Sequence, residues 1–122
     1  MSEPIVLDWH RYNRLTEARQ VVGTSSVVYV QADPAGKPLR VGKASKGLHV
    51  RYRGGTGWAI DAAMHASRNV IFVAKVDAEV VDAVEATLIW THREQLPYNN
   101  VGKRVAPILL RVEHRGDVPS GF

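Results

Sequence analysis

Val27 to Ala32 is a short run rich in β-branched and aromatic residues, Asp33 to Pro38 holds two prolines and a glycine, and Leu39 to Val41 resumes the extended pattern. That order predicts a β-hairpin. Alternation puts Val27, Tyr29 and Gln31 on one face and Val28 and Val30 on the other, so one tyrosine hydroxyl is presented from an otherwise apolar strand. The second strand is expected to end at Gly42, beside Lys43.

Before the hairpin, Asp8 to Gln20 is polar and helix-compatible, with Asp8 as a cap and Trp9, Tyr12 and Leu15 at three-residue spacing. Arg11, Arg14 and Arg19 then read as a solvated helix face within reach of phosphate. Gly23 to Ser26 is a polar break. After the hairpin, Ser45 to Arg53 predicts a short helix carrying Lys46, His49, Arg51 and Arg53, which Gly54, Gly55 and Gly57 end. The GGTGW stretch reads as a loop, since no strand feeds it and no Lys-Ser or Lys-Thr pair follows. Trp58 to Ser67 is alanine-rich and helix-prone, and Val70 to Val76 is apolar on both faces, as an interior strand requires. Asp77 to Glu94 predicts the longest helix, with Asp77 as its cap and an apolar arc of Val80, Val81, Val84, Leu88 and Ile89. It should end before Pro97, where Pro97 to Asn100 is turn chemistry. Val105 to His114 alternates as a last strand, and the tail from Arg115 is expected to be loose.

One residue violates the helical arc. At about 100° per residue Glu85 projects between Val81 and Ile89, while Glu79, Asp82, Arg93 and Glu94 cluster on the polar side. A carboxylate aimed into a core-facing stripe needs a cationic partner, binds a metal, or sits at the rim and reaches water. His92, two turns on, reads as a surface or capping residue.

Composition narrows the class. The 122 residues suit a single domain, 1–122, large enough to bury about two thirds of its unfolded surface. Sixteen Lys and Arg against 12 Asp and Glu give a net charge of +4, a modest bias towards polyanions. The absence of cysteine excludes disulfides and thiolate zinc sites. There is no basic start followed by a long apolar core and no apolar run of membrane-spanning length, so the expectation is a soluble, intracellular, cytoplasmic protein with no membrane partner.

Candidate chemistry gathers after the hairpin. Gly42 lets a ligand approach the backbone, Lys43 offers a point charge, and Arg51 offers a bidentate fork for phosphate. The competing reading is a plain turn with a solvated lysine.

The order of these segments resembles the GIY-YIG nuclease superfamily. Val27-Val28-Tyr29 stands where that family has GIY, Arg40-Val41-Gly42 where it has YIG, and Lys43-Ala44 continues the pattern. Leu48 and Arg51 occupy the expected places on the following helix, Glu85 opens an ExxLI pattern, and Pro97-Tyr98-Asn99 matches the closing turn, so the likeness spans residues 26–100. It implies an α/β (α+β) fold: a small antiparallel three-stranded sheet flanked by helices, with an additional N-terminal helix and C-terminal strand here. It also implies a metal-dependent endonuclease. Tyr29 (or Lys43) would assist water activation, Arg51 would hold the scissile phosphate, Glu85 would ligate one Mg²⁺ or Mn²⁺, and Asn99 would organise the site. Arg40, Gly42, Lys46 and Arg53 would contact nucleic acid, DNA ahead of RNA, with the oligomeric state open. Two positions depart from the pattern: Val27 replaces the first glycine and Arg40 the second tyrosine. Arginine cannot act as a base at ordinary pH, so the alternative is a catalytically degenerate module that binds nucleic acid or protein.

Overall fold

A computed structural model describes residues 3–48, 70–97, 99 and 103–122. In chain order its elements are β1 (Ile5–Tyr12), α1 (Leu15–Val22), β2 (Val27–Ala32), β3 (Pro38–Ala44), β4 (Val70–Lys75), α2 (Val81–Thr91), a 3-10 turn (Arg93–Gln95) and β5 (Val112–Gly116). The strands form one mixed sheet in the order β3-β2-β4-β1-β5, antiparallel throughout except for the parallel β1–β5 pair. The α+β class is as expected, and the antiparallel trio is present as β3-β2-β4. The sheet itself has five strands rather than three. Among the described residues no helix is long and apolar enough to cross a membrane.

The hairpin forms as its pattern predicts. Asp33 closes the turn by accepting the backbone N–H groups of Ala35 (3.0 Å) and Lys37 (2.9 Å) on its carboxylate, the usual service of an Asx residue. The second strand runs on past Gly42 to Ala44. The two faces of β2 separate as alternation requires. Val28, Val30 and Ala32 join Phe72, Leu7 and Trp9 in a core beneath Val81, Val84 and Leu88 of α2. Val27 and Tyr29 join Ile71 and Val73 on the other face, beneath Ala18 and Val22 of α1.

The N-terminal segment departs from expectation. Residues 5–12 form a strand, with Asp8 in its middle rather than at a helix cap. Leu7 and Trp9 are fully buried while Val6, Asp8 and His10 are exposed, a period of two that the spacing of Trp9, Tyr12 and Leu15 masks. Burying each large apolar side chain contributes about 1.5–3 kcal/mol. Helix preferences among ordinary residues differ by under about 0.7 kcal/mol each, so sheet pairing wins.

The C-terminal half carries smaller corrections. The helix expected over Asp77 to Glu94 is α2 followed by the 3-10 turn, and the N-cap position belongs to Val80. Asp77 serves instead through its carbonyl, which accepts the Val80 N–H at 3.0 Å. The last strand is Val112–Gly116 rather than Val105 to His114, and the tail is packed: the Phe122 ring stacks on His92 with centroids 3.9 Å apart. His92 stands at the C-cap of α2 as one reading had it, but it is buried beneath that ring. Of the helix expected over Ser45 to Arg53, Ser45 and Lys46 lie in a turn and Leu48 is helical, while residues 49–53, the glycine loop and the Trp58 to Ser67 segment lie outside the described residues.

Candidate active site

Tyr29 lies in the second strand from the β3 edge, opposite Gly42 on β3 and Val73 on β4, and is fully buried. The space its ring occupies exists because residue 42 has no side chain. A Cβ at Gly42 would stand 2.3 Å from the Tyr29 ring and hydroxyl. Arg40, two residues earlier on the same face of β3, donates from Nη1 to the Tyr29 hydroxyl at 2.9 Å. The guanidinium therefore occupies a lone pair of the phenol oxygen, and the O–H is directed away from it.

Asn99 is buried and holds the outer edge of β3. Its Oδ1 accepts the Val41 N–H at 2.8 Å and its Nδ2 donates to the Val41 carbonyl at 3.0 Å. Val41 faces Val30 across the hairpin in a pair whose backbone groups point outwards, so the asparagine amide pairs with β3 as a further strand would. This clamp fixes the residue between Arg40 and Gly42.

Lys43 lies apart from Tyr29. It pairs with Val28 on the face covered by α2, and its ammonium group is ion-paired with Asp82 in the first turn of that helix. Of the two candidates for water activation, only Tyr29 shares a face with Arg40 and Gly42. Glu85 is half-buried on α2, three residues beyond Asp82. That interval is about 4.5 Å of helical rise, little more than one strand residue. Since Asp82 meets Lys43 while Leu96 beyond the helix lines a cleft with Pro38 and Leu39, α2 runs back along β3. Glu85 is thereby carried along β3 towards the level of Gly42 and Val41, but on the α2 face of the sheet, opposite the face that holds Tyr29, Arg40 and Gly42.

Lys46 is exposed in the turn after β3, whereas Arg51 and Arg53 lie outside the described residues. Among the described residues no three His, Cys, Asp or Glu side chains group as metal ligands. A single carboxylate such as Glu85 suits a hard divalent ion that keeps most of its water and takes further oxygens from a phosphate.

Sequence reasoning missed two features around the site. Asp82 read only as part of a polar helix face, and its pairing with Lys43 has no local signal. A cleft of about 350 Å³ also flanks the hairpin turn, lined among others by Lys37, Leu39, Arg93, Leu96 and Lys103. No family model, curated protein or solved structure matches the chain.

Proposed function

We propose that the chain is a metal-dependent endonuclease of GIY-YIG type, hydrolysing phosphodiester bonds in nucleic acid, DNA ahead of RNA. The observation that carries this reading is the Tyr29–Arg40 hydrogen bond over Gly42, on a strand whose outer edge Asn99 clamps at the intervening Val41. A phenol buried against a glycine and aligned by a guanidinium is an unusual investment for a core. In-line hydrolysis needs a group to receive the proton of the attacking water, charge stabilisation on the phosphoryl oxygens, and help for the departing oxygen.

In this reading Tyr29 relays the proton of the water, with the Arg40 N–H positioned to stabilise charge developing on the phenol oxygen. Arg51 grips the scissile phosphate bidentately. Glu85 would hold a Mg²⁺ or Mn²⁺ ion, which when bound supplies Lewis-acid stabilisation of phosphate charge. Asn99 keeps Arg40 and Gly42 in register and acts only through the backbone.

A second reading rests on Arg40 itself. An arginine where the resemblance calls for tyrosine, with Lys43 engaged by Asp82, leaves Tyr29 as the one candidate of the original pair near Arg40. A degenerate module that binds nucleic acid without cutting would keep the cationic Arg40 and Lys46.

The deciding experiment is cleavage of labelled single-stranded, duplex and branched DNA and RNA with Mg²⁺ or Mn²⁺, with binding followed on the same samples. Wild type is compared with Glu85→Ala, Arg51→Ala and Tyr29→Phe. The nuclease reading expects metal-dependent cuts, a loss of about 10²-fold or more in each variant, and retained binding by Glu85→Ala. Binding without cutting establishes the module, and neither binding nor cutting overturns both.

A further inference from the structure

The two edges of the sheet differ. At the β3 edge, the Val41 N–H and C=O are taken by Asn99. At the β5 edge no side chain among the described residues plays that part, and only the Gly116 carbonyl is met, by the Val118 N–H at 3.0 Å. In the parallel pairing with β1, Arg111 accepts from Ile5 and Asp117 donates to Trp9. Alternate residues of a strand bond to the same side, so Arg111, Glu113, Arg115 and Asp117 serve β1, while Val112, His114 and the Gly116 N–H face outwards and the Gly116 carbonyl accepts from Val118. β5 contains no proline or lysine, and the charges that guard it are Glu113 and Arg115, both exposed.

From this edge we infer that two copies of the chain pair through β5, antiparallel, about a twofold axis at His114. The sequence Val112-Glu113-His114-Arg115-Gly116 is self-complementary in that register. His114 meets its own copy through both its backbone groups, and the Val112 C=O accepts from the Gly116 N–H of the second copy, the Gly116 carbonyl being held by Val118 of its own chain. Glu113 then stands opposite Arg115 of the second copy, twice. Within one copy Arg115 already donates to Glu113 Oε1 from Nη2 at 3.0 Å and Nε at 3.2 Å, on the face away from the Trp9–His114 contact. Pairing turns these two ion pairs into a ring of four alternating charges, where opposite charges directly across strands are favourable and like charges are not. Any register shifted by two residues loses this match. Ile108 and Leu109, shortly before β5 in the chain, are exposed. The operation continues the sheet from five strands to ten and keeps the Tyr29 faces of both copies on one side, because a twofold axis normal to a sheet preserves its faces.

The test uses the full chain and analytical ultracentrifugation across a concentration series. Wild type is expected to show a concentration-dependent dimer. Glu113→Arg and Arg115→Glu each place like charges opposite one another twice and should weaken it by roughly ten-fold in Kd or more. An equimolar mixture of the two variants restores opposite charges at both positions, as does the double exchange, and both should recover the dimer. Circular dichroism on each variant confirms folding, which these exposed positions leave intact. Monomer at every concentration, single variants that associate as wild type does, or a mixture that stays monomeric would each overturn the pairing.

Discussion

Gly42 and Tyr29 are sterically coupled at the candidate site. Since a Cβ at residue 42 would stand 2.3 Å from the ring, Gly42→Ala forces Tyr29 out of its slot and breaks its bond with Arg40. Overpacking of this kind costs about 1–3 kcal/mol. The expected result is a lowered urea midpoint, together with loss of whatever activity Tyr29→Phe removes. An alanine variant as stable as wild type would show that the ring has another place to go. The glycine could be singled out from the sequence, because a glycine at a strand end before a lysine draws attention. Its reason could not, since the ring that needs the space lies 13 positions earlier in the chain.

At the scale of elements, β3 depends on Asn99. Asn99→Ala leaves a buried N–H and C=O of Val41 without partners, which costs about 1–3 kcal/mol. Asn99→Asp should do no better, because a carboxylate can accept from Val41 N–H but cannot donate to its carbonyl. Hydrogen exchange gives the local readout: the Val41 amide should exchange faster in both variants, while amides of β4, interior to the sheet, change only as far as global stability does. Unchanged Val41 protection in Asn99→Ala would mean that another group closes this edge. Asn99 was legible as a turn residue and, by resemblance, as an organiser of the site; that it closes a strand edge was not. The same contrast holds for α2, whose core face followed from periodicity, whereas the engagement of Lys43 by Asp82 did not.

The whole molecule is closed by a cluster that joins β1, α2, β5 and the tail. Trp9 Nε1 donates to His114 Nδ1 at 2.9 Å, and because the indole can only donate, His114 must accept there as a neutral imidazole. Burial pushes the pKa of His92 below its ordinary 6.5, with the neighbouring His114 adding to the effect, and burial does the same to His114. The folded state therefore binds fewer protons than the unfolded chain once the pH drops below about 6.5. Stability from this cluster is complete above that value and is lost as the pH falls through the lowered folded pKa values. Urea unfolding between pH 8 and pH 5 should show stability falling with pH, and His92→Phe, which keeps the stacking on Phe122, should flatten part of the slope. An unchanged slope in that variant would assign the pH dependence to other groups.

What the sequence determined by itself was local. The β2–β3 hairpin and the facing of Tyr29 followed from alternation and turn chemistry, β4 from its unbroken apolar run, and the sheet-facing side of α2 from Val81, Val84 and Leu88. Each of these signals is complete within a few residues, so no distant partner is needed to read it. Tertiary structure decided the rest. β1 is a strand because β4 and β5 hydrogen-bond to its two sides, and the tail is ordered because Phe122 meets His92. Asn99 reaches Val41 and Asp82 reaches Lys43 across 58 and 39 positions. Such pairings are set by register and by the burial that the assembled sheet makes possible, and neither leaves a period in the chain.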